Sequence, residues 1–327
     1  MSKIKVGICG YGNLGKGAES EITKNPDMDL AAIFTRRKPE ELSGTKAKTP
    51  VIHIDEAPLW KDKIDVMILC GGSKNDLPAQ GPEFARSYNT VDSFDTHAKI
   101  PGYFKAVDEA AKSENHISII SAGWDPGLFS LLRLYMGAVI PDGHTYTFWG
   151  PGVSQGHSEA IRGIGGVNDA IQYTIPNETV LERIRNGEIP ELTAGEKHKR
   201  VCYTVAESDS DKDRIENEIK KMPDYFLDYD TTVNFISLKE LKENHSKMKH
   251  GGHVVHTGET GNGNKQMMEF TLKLDSNPEF TASVLIACVR AAYRLAANGE
   301  SGARTIFDIP PALLSPLAPE ELRKTLL

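Results

Sequence analysis

A glycine pattern near the start of this chain constrains its fold more than any other feature. Gly10-Tyr11-Gly12-Asn13-Leu14-Gly15 follows an apolar run, Ile4 to Cys9, and opens a stretch of helical spacing, Asn13 to Lys24. Alone, G-x-G-x-x-G is a weak signal; between a strand and a helix it has a physical purpose. The first glycine permits a tight turn, the second lets the backbone approach a pyrophosphate, and the third lets helix and strand pack closely. The helix N-terminus then offers unpaired N–H groups and a partial positive charge to the anion. A dinucleotide is the expected ligand.

Runs that read as strands recur at Leu30–Thr35, Val51–Ile54, Val66–Cys70, Asn89–Val91 and Ile117–Ser121, with helical spacing over Tyr103–Ser113. This alternation predicts an α/β fold, a Rossmann-type doubly wound parallel sheet with helices on both faces. After Gly123 the pattern changes. A helix over Gly127–Val139 precedes strand-like runs at His144–Trp149, Ala170–Ile175, Arg200–Val205, Thr231–Ile236, His253–His256 and Met267–Leu274. Helices are expected near Glu178–Asn186 and Asp211–Met222, which makes this a second, α+β domain. A chain of 327 residues has room for two domains. The expected division is 1–122 and 123–278, with a helix over Thr281–Asn298 carrying the segment 279–327 back onto the first domain.

Composition excludes several classes. With 38 Lys+Arg against 45 Asp+Glu the net charge is −7, so no basic field points to nucleic acid or an anionic membrane. Cys9, Cys70, Cys202 and Cys288 form no C-x-x-C pair and lie in apolar stretches, as reduced thiols do. The first strand follows Met1 almost at once, without an apolar leader. The most apolar run, Ser283 to Val289, meets Arg290 well short of the roughly 20 residues that span a bilayer. A cytoplasmic globular protein is expected.

The second strand indicates which dinucleotide. An acid about 20 residues past the glycines would bind the 2′-hydroxyl of NAD. Here that place holds Thr35-Arg36-Arg37, and two guanidiniums with a hydroxyl suit a 2′-phosphate. The cofactor is expected to be NADP(H).

Two later strand ends carry acids: Val91-Asp92-Ser93-Phe94-Asp95-Thr96-His97 and Ser121-Ala122-Gly123-Trp124-Asp125-Pro126-Gly127. In a doubly wound sheet such loops face the cofactor. Asp95 and Asp125 there either hold a cationic substrate group and take a proton, or cap the helices that follow. Trp124 either walls the pocket or belongs to the core. In the second domain, Phe148 to Ser158 reads as a strand and a glycine-rich polar loop, His198-Lys199-Arg200 as the start of a strand, and His250-Gly251-Gly252-His253 as a glycine-rich turn. The histidines lack an i, i+4 pair or a nearby cysteine cluster, so no metal is expected. Arg200 with a hydroxyl and an imidazole suits a substrate carboxylate.

Together these segments resemble the meso-diaminopimelate dehydrogenase family. The resemblance rests on GYGNLG at Gly10–Gly15, TRR at Thr35–Arg37, VDSFD at Val91–Asp95, SAGWDPG at Ser121–Gly127, FWGPGVSQGHS at Phe148–Ser158, QYTIP at Gln172–Pro176, HKR at His198–Arg200 and HGGH at His250–His253. It implies NADP-dependent oxidative deamination, in lysine biosynthesis, of the D-configured centre of meso-2,6-diaminopimelate. The product, L-2-amino-6-oxopimelate, cyclises to tetrahydrodipicolinate, and the reverse reaction is reductive amination. The resemblance also implies a homodimer formed through a substrate-binding and dimerisation domain. Beyond the glycine turn and Thr35, Arg36 and Arg37, it assigns Cys70, Gly71, Gly72 and Ser73, then Ser93, Phe94 and Asp95, then Ala122, Gly123, Trp124, Asp125, Pro126 and Gly127 to cofactor loops. Asp95 and Asp125, beside Trp124, match the acids at the reacting centre. Gln155, Thr174, Arg200, His250 and Asn277 match the residues around the substrate's other end, with Phe148 or Trp149 lining that region. Glu159 stands where an aspartate is expected, and Cys70-Gly71-Gly72 is a variable loop; neither departure touches a charge the chemistry needs. The competing readings are another two-domain NADPH reductase of amino acid biosynthesis and a non-catalytic NADPH-sensing protein. A sensor would need neither the paired acids nor the distal arginine.

Overall fold

Helices cover both faces of a parallel sheet, so its strands are expected to be largely apolar. The computed structural model describes residues 3–38, 42, 49–245 and 247–327 and shows this pattern at the start of the chain. The elements there are β1 (Ile4–Cys9), α1 (Asn13–Ile22), β2 (Met28–Thr35), β3 (Val51–His53), β4 (Val66–Leu69), α2 (Leu77–Ala85), β5 (Asn89–Asp92), α3 (Ile100–Ser113), β6 (Ile117–Ile119) and α4 (Leu128–Val139). Then come β7 (Asp142–Trp149), β8 (Gly152–Val153), α5 (Gln155–Arg162), β9 (Val167–Pro176), α6 (Glu178–Arg185), α7 (Ala194–Lys197), β10 (His198–Ala206), α8 (Lys212–Lys220), β11 (Asp230–Phe235), α9 (Leu238–His245), β12 (His250–Thr260) and β13 (Asn264–Leu274). The chain ends with α10 (Asn277–Ala297), β14 (Gly302–Arg304) and α11 (Pro319–Leu326). Two compact units result: Met1–Leu131 with Pro278–Leu327, and Leu132–Asn277.

The first unit holds one seven-stranded sheet in the order β14-β6-β5-β4-β1-β2-β3, every pairing parallel. The order reverses between β1 and β4, the switch point at which such sheets bind ligands, and the glycine turn leaves β1 there. One face packs Val6, Ile8, Ile33 and Ile68 against Ala282, Leu285 and Val289 of α10. The other packs Phe34, Met67 and Leu69 against Phe84 of α2 and Val107 of α3.

The helix expected over Thr281–Asn298 is α10, which begins earlier, at Asn277, and with 21 residues is apolar and long enough to cross a membrane. It is instead a core helix, and its buried Arg290 donates to Asp27 and Asn25. Three other elements of this unit give no sequence signal. Pro78 and Pro82 mask α2, β14 has only three residues, and Pro319 opens α11.

The second unit has two sheets. In β11-β10-β9-β8, β10 pairs parallel with β11 and antiparallel with β9; in β13-β12-β7 all pairs are antiparallel. The polar loop expected after Trp149 is in fact the short strand β8 followed by α5. Nor is His250–His253 a turn, for it begins the eleven-residue strand β12. A Cβ on Gly251 would lie 2.3 Å from the Leu272 carbonyl oxygen, so the glycine serves close strand approach rather than a bend.

Candidate active site

The glycine turn divides its tasks as the pattern requires. Gly10 has φ +99°, and a Cβ on Gly15 would lie 2.1 Å from the Gly10 carbonyl oxygen. Gly12 is different: a Cβ there would meet nothing within 4 Å. Gly12 is also the N-cap of α1 and makes no side-chain cap bond. The turn is therefore closed where helix meets strand and open where an anion would approach, which fits a pyrophosphate. Tyr11 is buried and donates its phenol hydrogen to Glu19 in α1 (2.5 Å), Leu14 packs on the core, and Asn13 begins the helix exposed.

The basic turn after β2 is tied to this frame by hydrogen bonds while Arg36 and Arg37 stay exposed. Thr35 is buried and its hydroxyl accepts from the Arg37 amide at 3.1 Å, while the Arg37 guanidinium donates to the Tyr11 carbonyl at 2.6 Å. Arg36 pairs with Asp76 at 2.9 Å, and Asp76 also accepts from the Gly72 amide at 2.8 Å, so Arg36, Asp76 and the 70–73 loop form one network. Arg36 remains about two-thirds exposed. Burial pushes the Cys70 thiol well up, which leaves it protonated and no nucleophile. Ser73 accepts from the Asp95 amide at 2.8 Å and meets Thr96 at 3.2 Å, joining the loops after β4 and β5.

Those loops carry the acids. Phe94, between Ser93 and Asp95, is buried and stacked on Tyr103. Asp95 is exposed, and among the described residues no hydrogen bond or ion pair to its carboxylate is seen. No side chain caps the three-residue turn His97–Lys99 or α3, so the capping alternative for Asp95 falls away. After β6, Ala122 and Gly123 lead into a closed turn in which Leu128 and Phe129 donate to Gly123 and Trp124. Gly127 has φ +126° and no space for a side chain beside Gly123. Trp124 is buried with its ring edge-on to Phe129, and Asp125 and Pro126 are half-buried.

In the second unit the strand register builds an anion anchor. Arg200 on β10 lies opposite Thr174 on β9 and donates to its hydroxyl. Its guanidinium carbon sits 4.0 Å over the Tyr229 ring, a neighbour with no sequence signal. Arg200 is buried, burial pulls its pKa down, and among the described residues its Nε has no hydrogen-bond partner. Among the described residues no carboxylate pairs with it, and a buried cation without a counter-charge is costly. Gly150, at φ +104°, lies against the Thr174 carbonyl, and Gly152 pairs with Thr174 and lies against the His250 ring. Thr174, Arg200, His250 and the 150–152 turn thus converge. Asn277 joins by donating its amide to Met248, and Gln155 begins α5 exposed.

Two histidines brace this region. His198 accepts the Trp149 amide on Nε2 at 2.9 Å, which places its hydrogen on Nδ1 facing the Ala194 carbonyl. Burial pushes His198 down to about 4, and burial beside Arg200 does the same to His157. Phe148 is fully buried among Tyr146, Val180, Leu181 and Val255, so it is a packing residue rather than a site wall. Trp149, stacked on His198 and 36% exposed, is the aromatic presented at this turn. Among the described residues no group of three or more His, Cys, Asp or Glu is placed to hold a metal ion.

A doubly wound sheet with an open glycine cradle, acid-bearing loops beside it and, in a second unit, a buried arginine that no carboxylate of the described residues pairs fit a two-domain oxidoreductase. Residues 123–276 match the family described as "Diaminopimelic acid dehydrogenase C-terminal domain". The chain is 59% identical over 327 residues to "Meso-diaminopimelate D-dehydrogenase" of Ureibacillus thermosphaericus, with 100% of both chains covered. Its fold matches the crystal structure of a meso-dapdh mutant with DAP from Clostridium tetani, with a TM-score of 0.94 and 54% identity over 99% of this chain and 100% of that one. It also matches an engineered D-amino acid dehydrogenase bound to NADP+, with a TM-score of 0.86 and 45% identity over 100% of both chains. The chain belongs to the meso-diaminopimelate D-dehydrogenase family and is a dehydrogenase.

Proposed function

We propose that this enzyme catalyses the reversible NADP+-dependent oxidative deamination of the D-configured carbon of meso-2,6-diaminopimelate. The products are L-2-amino-6-oxopimelate, which closes to tetrahydrodipicolinate, and ammonia, and the setting is cytoplasmic lysine biosynthesis. The observation that carries the reading is Arg200, buried with Thr174 and Tyr229 and paired with no carboxylate of the described chain. A substrate with a second amino acid end brings the carboxylate that this guanidinium lacks.

The Gly10–Gly15 turn holds the pyrophosphate, and Thr35, Arg36 and Arg37 hold the 2′-phosphate. Residues 70–73, 93–95 and 122–127 complete the cofactor's surroundings. When bound, the nicotinamide supplies the hydride acceptor. Asp95 and Asp125, beside Trp124, hold the ammonium of the reacting centre. One of them takes its proton, which frees the nitrogen lone pair to form the C=N bond that water then hydrolyses. Arg200, Thr174, His250, Gln155, Asn277 and Trp149 fix the distal end, so that only one Cα–H is presented. A homodimer accounts for Leu134, Tyr135, Val139 and Met267 of the second unit, large apolar side chains that are exposed in the single chain. The four unpaired thiols suit a reducing compartment.

The test is absorbance at the NADPH band with purified protein, run with NADP+ or NAD+ and with meso or L,L substrate. Reduction of NADP+ with the meso isomer alone supports the reading, and turnover with neither isomer sinks it. Full turnover in Asp125→Asn would remove that residue from proton transfer.

A further inference from the structure

The two acid-bearing loops leave adjacent strands, and one buried side chain joins them. Asp92, the last residue of β5, is 1% exposed. Its Oδ1 accepts from the Phe94 amide at 2.9 Å and from the Ser121 amide at 3.0 Å, and its Oδ2 accepts from the Tyr103 hydroxyl at 2.7 Å. Its backbone carbonyl accepts from the Ala122 amide at 2.8 Å. The β5–β6 ladder pairs Val91 with Ile119, so beyond its end Asp92 is what fastens one loop to the other. The Phe94 bond folds the first loop as an Asx turn, which points the chain toward Asp95. The Ser121 bond holds a non-glycine residue at φ +54°, a backbone state that needs outside support, at the entry to the turn carrying Asp125. Tyr103 is fixed in turn by its 4.1 Å stack on Phe94. Burial pushes the Asp92 carboxyl up and the three donated bonds oppose that shift.

We infer that Asp92 is a positioning residue for the deamination: one carboxylate sets the relative placement of Asp95 and Asp125. The inference rests on the reading of those two acids as the groups that hold the reacting amine. Asp92 itself touches neither substrate nor cofactor in this scheme. A displacement of about 1 Å between paired catalytic groups lowers turnover on the order of a hundredfold, which is the effect expected when this link is cut.

The experiment uses the full chain with Asp92→Ala, Asp92→Thr, Asp92→Asn and Tyr103→Phe. Steady-state kinetics, NADPH affinity by fluorescence, thermal melting and amide hydrogen exchange over 93–97 and 121–127 are measured on each. Asparagine keeps an acceptor for both amides and a donor for the Tyr103 oxygen, so kcat stays within about threefold of wild type. Tyr103→Phe removes the one bond that does not reach a loop backbone, and kcat holds likewise. Threonine suits a strand and offers an acceptor to Phe94 but does not reach Ser121. Exchange therefore rises over 121–127 alone, and kcat falls on the order of a hundredfold while NADPH affinity stays within about threefold. Alanine loosens both segments. Should Asp92→Ala fail to fold, Asp92→Thr decides the matter. A folded threonine variant with wild-type kcat overturns the inference whatever its exchange, because a role in stability alone moves the melting temperature and leaves kcat in place. If wild type turns over no diaminopimelate, the proposed function fails separately. Exchange in Asp92→Thr then decides by itself, with faster exchange over 121–127 supporting the link and unchanged exchange overturning it.

Discussion

The Arg200 guanidinium carbon lies 4.0 Å over the Tyr229 ring while its Nη1 donates to the Thr174 hydroxyl. A planar cation is thereby held rigid before any anion arrives, which a flexible ammonium does not reproduce. Arg200→Lys is expected to raise KM for diaminopimelate at least about tenfold, the order of one lost charge-assisted bond, with a smaller change in kcat. Steady-state kinetics check this, and an unchanged KM would place the substrate's distal carboxylate elsewhere.

The glycine turn separates binding from folding. A Cβ on Gly12 meets open space, whereas one on Gly15 would lie 2.1 Å from the Gly10 carbonyl oxygen. Gly12→Ala should keep its melting temperature and weaken NADPH at least about tenfold by occupying the cradle. Gly15→Ala should lose about 1–3 kcal/mol of stability or more, because backbone must move. Fluorescence titration and thermal melting distinguish the two, and equal melting temperatures for both variants would contradict the assignment.

Acid should loosen the second unit. His157 and His198 sit near 4 in the folded chain against about 6.5 when unfolded. Between those values the unfolded chain binds more protons, so stability falls as pH falls. The contribution is complete above about 6.5 and is lost as pH drops through the folded value. Each histidine steepens the fall by at most about 1.4 kcal/mol per pH unit. Urea midpoints across this window report the slope. His198→Asn keeps an acceptor for the Trp149 amide and should flatten it; an unchanged slope would exclude His198 as a source.

Arg290 tests how α10 is held. Asp27 accepts from its guanidinium, which keeps that carboxyl below the usual range, and Arg290 is buried. Arg290→Met leaves Asp27 without its counter-charge and is expected to cost about 3 kcal/mol. Denaturant unfolding measures this, and a loss near zero would mean that the apolar packing of α10 holds it alone.

Much of this molecule is legible in its sequence because its signals are local. The β1 run, the glycine spacing and the Thr35–Arg37 turn each encode their neighbours within a few residues, and the parallel sheet follows from their alternation. Other features depend on partners far along the chain. Gly251 and Gly252 read as a turn because glycine usually marks one, yet Leu272 makes Gly251 a site of close strand approach. Phe148 and Trp149 are adjacent aromatics, and only packing with Val180 and Leu181 separates core from surface. Tyr229 meets Arg200 from 29 residues away, and Asp92 meets Ser121 from 29 residues away. Neither meeting leaves a periodicity to read.

The core of the first unit contains Ala282, Leu285, Val289 and Leu295, residues near the chain's end. During synthesis, β1 to β6 therefore emerge long before the helix that covers one face of their sheet. The Leu132–Asn277 unit is contiguous and is complete while its predecessor still waits. The first unit is thus first to be made and last to be finished, and any message cut short before α10 yields the second unit attached to an open sheet.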